Sequence, residues 1–466
     1  MPTAYSKIVA TRPRLRQELS QLLQFGLPLI IAHLAVIGMA VTDTIMAGQA
    51  SAVDLAGLAI GSGLWIAASV IVLGLMSALL PIIAQLRGAG HLEAIPPQAQ
   101  QAMYVALGIG LLTASLLLLT PILLNHMMLD DEVRRVATGY LQILALACPP
   151  LAFASLLRNC CEAMGYTRPT MMINLGAFGL NILLDYALVF GHWGFPKLGG
   201  IGCGWATTAL NWLILLMFIL VSLRHPILRQ MRLLRWPSKP EKNSIFHLLH
   251  IGIPIAIGVT GEVLFFGIMA LLLAPLGAIT VGAHQVAQNF GALIYMIPLG
   301  LAQAIGIRVA HAVGAASPSD AQFSAWSGIG LGIFIAIISA FITIVFRAEI
   351  AAIYSPDPQV QILAENLLLF CGAYQVLDAV QITAWGALRG YKDTRAAMNI
   401  QLFSYWGIGF PIGYSLALTN LFGPALGAYG FWIGIIFGLT TAAILLNTRL
   451  WKIRSRGFNI ERQQRS

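Results

Sequence analysis

The chain has 466 residues, of which 58% are hydrophobic and only 10% charged, with a formal net charge of +9 and a mean hydropathy of +0.80. A soluble domain carries about 25% charged residues, so this composition points to lipid as solvent and leaves no separate soluble domain. The basic excess would suit nucleic acid only if it were gathered on one soluble surface, and its spread along the chain excludes that.

A helix needs about 20 mostly apolar residues to cross hydrocarbon, and such segments recur from Leu22 almost to Trp451. They predict twelve helices, at 22–47, 57–86, 98–124, 135–158, 169–191, 202–223, 246–274, 281–307, 322–346, 359–388, 396–418 and 425–448. The first has no small-residue cleavage site and is followed by more of the same, so it reads as a retained helix and the mature chain should begin near Met1. With the N-terminus inside, 23 of the 27 basic residues fall in cytoplasmic segments, and only Arg134, Arg135, Lys197 and Arg347 fall outside. That asymmetry obeys the positive-inside rule with both termini cytoplasmic, so the charge is topological. The expected location is a plasma membrane, the inner membrane of a bacterium.

Five cysteines, at positions 148, 160, 161, 203 and 371, show no zinc or redox spacing and read as small core residues.

The chain is also duplicated. At a shift of 226, LLQFGLPLIIA (22–32) lies on LLHIGIPIAIG (248–258), aligning Gly26 and Pro28 with Gly252 and Pro254. The same shift places Gly74, Leu75 and Ala78 on Gly300, Leu301 and Ala304, and MGYTRP (164–169) meets RGYKDT (389–394) at a shift of 225. A register held through several helices makes two parallel six-helix repeats. The expected domains are a cytoplasmic segment 1–21, a first lobe 22–223, a basic cytoplasmic linker 224–244, a second lobe 245–450 and a tail 451–466.

Function is sought in the acids, because an ionised carboxylate at bilayer depth costs several kcal/mol. Four lie deep in the predicted helices: Asp43 and Asp185 in the first lobe, Glu262 and Asp378 in the second. Asn181 precedes Asp185 by four residues and shares its helix face. Tyr374, Gln375 and Gln381 surround Asp378 at helical spacing, and Gln285 and Asn289 form a polar i, i+4 pair on the eighth helix. Such oxygens suit a proton or a hard cation such as Na⁺ as coupling ion. The bland alternative is that each acid only pins helices by a hydrogen bond. His33 and His284 are expected to be satisfied core histidines, and Pro28, Pro254, Pro298 and Pro411 mark possible bends.

No Walker-type phosphate loop, HEXXH or GXSXG is present, which argues against ATP-driven transport by this chain, a membrane protease or an esterase. The reading is therefore a gradient-driven transporter, not an enzyme, with no cofactor. A channel and a non-transporting scaffold are the weaker rivals.

These residues resemble the multidrug and toxic compound extrusion (MATE) transporters, and within them the NorM-like branch. The resemblance covers nearly the whole chain and rests on TDTIMAG at the end of the first helix, the GLP and GIP openings, MGYTRP, the N-x-x-L-D run from Asn181 to Asp185, TGEV around Glu262 and QVLDAVQ around Asp378. It implies an all-α membrane fold of two six-helix bundles arranged as a V. It implies export of organic cations, amphiphilic drugs and dyes in antiport with Na⁺ or H⁺ by alternating access. Asp43, Asn181, Asp185 and Thr207 would be the first lobe's coupling site. Glu262, Tyr374 and Asp378 would be the second lobe's cation site, able to hold Na⁺, and Gln285 and Asn289 would line the cleft. The expected partners are small organic cations, the coupling ion and membrane lipid, with no nucleic acid, and the chain is expected to be a monomer. The alternative function is a flippase for a lipid-linked precursor, which would need a cationic groove; no basic residue lies far from the predicted helix ends, and Arg308 is the nearest case.

Overall fold

The structure, a computed structural model, describes residues 4–225, 228, 229, 239–421 and 423–465, with side chains from 14 to 453. Most of the basic linker expected at 224–244, and the basic side chains of Lys7, Arg12 and the tail from 454, lie outside the described residues.

The described residues form helices and no strand. In chain order they are α1 (Ala4–Ala50), α2 (Ala52–Met76), α3 (Leu79–Gly88), α4 (Ile95–Leu118), α5 (Thr120–Leu124), α6 (Asp131–Ala145), α7 (Cys148–Ala163), α8 (Arg168–Phe190), α9 (Gly200–Arg224), α10 (Lys242–Leu273), α11 (Ala278–Gly314), α12 (Pro318–Val345), α13 (Arg347–Tyr354), α14 (Pro358–Gly390), α15 (Thr394–Leu402), α16 (Phe410–Leu418) and α17 (Ala428–Arg465). A π-helical stretch, Phe403–Gly409, joins α15 to α16 without a gap. Some helix starts carry a side chain that satisfies a free N–H group: Asp130 accepts from the Glu132 amide and Asp357 from the Gln359 amide.

Among the described residues ten helices are long and apolar enough to cross a membrane, and α6 with α7 makes an eleventh as a pair bent by 47°. The remaining segment, α15 through α16, holds Asn399, Gln401, Ser404 and Tyr405 and is divided by the π-helical stretch. Proline explains these interruptions, since its ring clashes with the carbonyl four residues back and it donates no hydrogen bond. Pro149 follows the α6–α7 break, Pro81 follows the α2–α3 break, and Pro411 follows the π-helical stretch. Of the four prolines singled out in the sequence, Pro28, Pro254 and Pro298 sit inside continuous helices and Pro411 adjoins the π-helical stretch.

The chain divides into two compact units, one of residues 31–260 and one of residues up to 30 with 261 onward. The division falls within α1 and within α10. In the first unit a Cβ on Gly74 of α2 would lie 2.7 Å from the Cα of Ala256 on α10. In the other, a Cβ on Gly300 of α11 would lie 2.8 Å from the backbone nitrogen of Ile30 on α1. The repeat shift of 226 carries Gly74 to Gly300 and Ile30 to Ala256, so the two contacts are one contact made twice. Apolar side chains gain little by leaving lipid for one another, and membrane helices therefore pack through small residues that let backbones approach.

The beginning of α1 is fastened in its unit by charge. Glu18 is buried and accepts a bidentate pair from Arg308, Nε at 3.0 Å and a terminal nitrogen at 2.7 Å, while Ser324 donates to it at 2.6 Å. Arg308, the basic residue read from the sequence as nearest to helix depth, is thus committed to an ion pair.

Candidate functional sites

In the 31–260 unit, α1, α8 and α9 bring together four residues expected from the sequence. The Asn181 amide donates to Asp43 Oδ1 at 3.0 Å and the Thr207 hydroxyl to Oδ2 at 3.3 Å. Asp185, one helical turn beyond Asn181, is wholly enclosed, and its carboxyl group lies within hydrogen-bonding reach of that of Asp43. Neither Asp185 oxygen makes a well-formed hydrogen bond. Two ionised carboxylates offer only acceptors, so this contact is unfavourable while both are charged.

Asp43 also borders a cavity of about 390 Å³, with Asn181, Thr207, Asn211, Trp65 and Tyr140 among its walls. Two members of this site were not anticipated. Cys203, expected as plain core, donates from its thiol to the Asp43 carbonyl at 3.6 Å. Tyr140 is buried within electrostatic range of both Asp43 and Asp185. An aromatic or a cysteine in an apolar helix looks like packing, and nothing local signals the acid that it meets.

In the other unit, Glu262 of α10 and Asp378 of α14 are both buried and within electrostatic range of each other. The Tyr405 hydroxyl, from the π-helical stretch, points to Glu262 Oε1 at 3.5 Å. Tyr295 and Tyr374 lie within range of both acids. Tyr374, Asp378, Tyr295, Gln375 and Ser339 wall a cavity of about 10 Å³, room for about one water or ion. Gln375 is already committed, donating to the Thr343 hydroxyl at 3.0 Å. Tyr295 and Tyr405 were missed in the sequence, although π-helical turns often accompany functional sites.

Gln285 and Asn289, expected to line the cleft, are both exposed on one face of α11. His33 is half-buried. The expectation of a satisfied His284 is corrected: the ring is buried, and neither nitrogen has a hydrogen-bond partner. Its neighbour is the edge of Trp432, at 6.0 Å between ring centroids, and the Thr280 hydroxyl one turn earlier donates to the Leu276 carbonyl instead. All five cysteines are free and buried, as the sequence reading expects.

Known proteins place this architecture. The MatE family model matches residues 28–187 and again 254–415, the two halves found by internal comparison. The chain is 42% identical over 439 residues to the multidrug resistance protein PmpM of Pseudomonas aeruginosa, covering 94% of this chain and 92% of that one. It is 40% identical over 433 residues to the probable multidrug resistance protein NorM of Shewanella oneidensis, covering 93% and 94%. In fold it is similar to the eukaryotic MATE transporter AtDTX14, with a TM-score of 0.84 over 95% of this chain and 98% of that one at 21% identity. A MATE family transporter of the MOP superfamily solved in an outward-facing conformation gives 0.85 at 17% identity, covering 94% and 96%. The two-fold match of the family model and the identity to NorM and PmpM over nearly the whole chain show that it belongs to the MATE family of membrane transporters, in its NorM-like branch.

Proposed function

We propose that the protein is a secondary active multidrug exporter, moving organic cations and amphiphilic drugs or dyes outward in antiport with H⁺ or Na⁺. The observation that carries this reading is the contact between Asp43 and Asp185, two buried carboxyl groups with too few donors, on the wall of a cavity large enough for a small drug. The names of the relatives, multidrug resistance proteins, agree with it.

A proton taken up between Asp43 and Asp185 removes negative charge from the cavity wall and weakens the hold on a cationic cargo. Loss of that proton restores the charge and favours loading, so ion and cargo compete for one site. Trp65 and Tyr140 on the cavity wall give a flat cation aromatic surfaces to lie against. Glu262, Asp378 and Tyr374 form the second ion site; a Na⁺ there would find carboxylate and phenol oxygens, the donors that a hard cation takes. For transport, each ligand must bind one conformation better than the other, and a difference of about 5.5 kcal/mol carries a population from 1:99 to 99:1. By the positive-inside rule both termini face the cytoplasm, and the chain works as a monomer in the inner membrane.

The test is efflux of a cationic dye from proteoliposomes under an imposed pH gradient and, separately, a Na⁺ gradient. Movement driven by either, and lost in Asp43→Asn or Asp378→Asn, supports antiport and identifies the ion. No movement under either gradient sinks the reading in favour of the lipid-linked precursor flippase.

A further inference from the structure

One carboxylate ties the corner between α1 and α2 to the start of α9. Ser51, the residue before α2, accepts from the Asp54 amide at 2.9 Å and donates its hydroxyl to Asp54 Oδ2 at 2.7 Å, so cap and acid satisfy each other. The other oxygen, Oδ1, accepts from the Gly200 amide at 2.7 Å. Gly200 opens α9, and Gly199 before it has no side chain to cap the helix; the free N–H groups of a helix start favour a carboxylate. The approach requires glycine: Gly199 has φ +57°, and a Cβ there would collide with Asp54 Oδ1. The end of α8 is held at the same corner, since Gly199 donates to the Val189 carbonyl at 3.2 Å and Leu198 to the Leu188 carbonyl at 3.0 Å.

The tie is equally far along the chain from three residues of the site. Asp43 lies eight residues before Ser51, Asn181 eight before Val189 and Thr207 eight after Gly199. At ~1.5 Å rise per residue each stands ~12 Å inward from the corner, and there the Asn181 amide and the Thr207 hydroxyl meet the two Asp43 oxygens. Hydrogen bonds fix the spacing within a helix, but apolar faces in lipid give little resistance to one helix sliding past another. The Thr207 bond is already 3.3 Å long, so a slip of ~0.5 Å breaks it.

We propose that Asp54 is a positioning residue for the coupling site: by pinning the α8–α9 pair to the α1–α2 corner it keeps Thr207 and Asn181 in register with Asp43, and so sets the pH at which the site exchanges proton for cargo. The inference rests on the export reading above. Asp54 acts through its two amide-donating partners and not on ion or cargo. The other charged or titratable groups about the pair are Asp185 and Tyr140, in range of Asp43, Cys203, whose thiol meets the Asp43 carbonyl, and Arg158 on the cavity wall.

The test follows binding of rhodamine 6G, a cationic dye, to the purified full-length protein by fluorescence polarisation across a pH series. Asp54→Ala should move the midpoint of the pH dependence by roughly half a pH unit to one, in the same direction as Thr207→Val. Asp54→Asn, which keeps an oxygen for the Gly200 amide, should stay within about 0.2 of wild type. The double variant Asp54→Ala with Thr207→Val should move by less than the sum of the two single shifts, because both break one bond. Gly74→Ala, which loosens the same unit elsewhere, should leave the midpoint in place. An unmoved midpoint in Asp54→Ala, additive shifts, or an equal shift in Gly74→Ala overturns the inference. If Asp54→Ala cannot be purified, Asp54→Glu, which lengthens the tie and keeps the charge, decides on the same criteria. If the wild type binds the dye with no dependence on pH, the inference fails and export of cations stands; if it binds no dye, both fall.

Discussion

The two units solve one fold with different chemistry. At the repeat shift of 226, Asp43 corresponds to Met269 and Glu262 to Val36; at 225, Asp185 corresponds to Phe410 and Asp378 to Phe153. No buried acid of the pairs in one unit has an acidic counterpart in the other. The packing contacts do repeat, as Gly74 with Ala256 and Gly300 with Ile30. Duplication has therefore kept the positions where backbones touch and left the buried acids different in each unit. The sites differ accordingly: two carboxyl groups in contact beside a cavity of about 390 Å³, against two acids among tyrosines beside one of about 10 Å³. The first suits a shared proton and a bulky cargo, the second a single small ion.

The largest test of this contrast is charge removal on each side. Asp43→Asn should lower dye efflux driven by a pH gradient by at least about tenfold, since it removes both a proton acceptor and the anionic pole of the cavity. Asp378→Asn should leave dye binding within about twofold while changing ion-driven rates, because its small cavity holds no dye. If the two variants lose dye affinity equally, the division of labour between the units is wrong.

Asp185→Asn sharpens the point. It places a permanent amide donor against Asp43, so the protein should keep its thermal stability in detergent or gain about 1 kcal/mol. Proton-driven efflux should fall roughly tenfold, because the shared proton has been replaced by a bond that cannot dissociate. Unchanged proton-driven rates would assign Asp185 to structure.

The repeated packing contact gives the next effect. Gly74→Ala and Gly300→Ala each force backbones apart and should cost about 1–3 kcal/mol, read as a lower melting temperature of the purified protein. Gly176→Ala on α8, where an added Cβ meets nothing within 4 Å, is the control and should not destabilise. Smallest of all, Tyr405→Phe removes a hydroxyl that reaches Glu262 only at 3.5 Å. It should change ion-driven rates by less than about threefold; a complete loss would make Tyr405 a principal ligand.

Much of this was legible in the sequence because lipid is an unforgiving solvent. A carboxylate inside twenty apolar residues announces itself, and Asn181 could be assigned to the same face as Asp185 from helical spacing alone. Thr207 and Asp43, 164 positions apart, could be joined only through family resemblance. What escaped notice has a physical pattern. Tyr140, Tyr295 and Tyr405 are amphipathic, and their apolar rings conceal what their hydroxyl ends meet. Glu18 falls before the predicted first helix and Glu162 beyond the predicted fourth, where an acid is ordinarily wet, yet both are buried. Gln285 and Asn289 share an exposed face of α11, as their i, i+4 spacing requires.

Glu18 has a consequence for how the chain is made. Its partners Arg308 and Ser324 lie 290 and 306 residues downstream, and ribosomes add about 5–20 residues per second. The first helix must therefore wait roughly 15–60 s, with an unpaired acid near its beginning, before the residues that complete its unit exist. The earliest segment to be synthesised is among the last to be seated, and the cell must shelter the unfinished half for that interval.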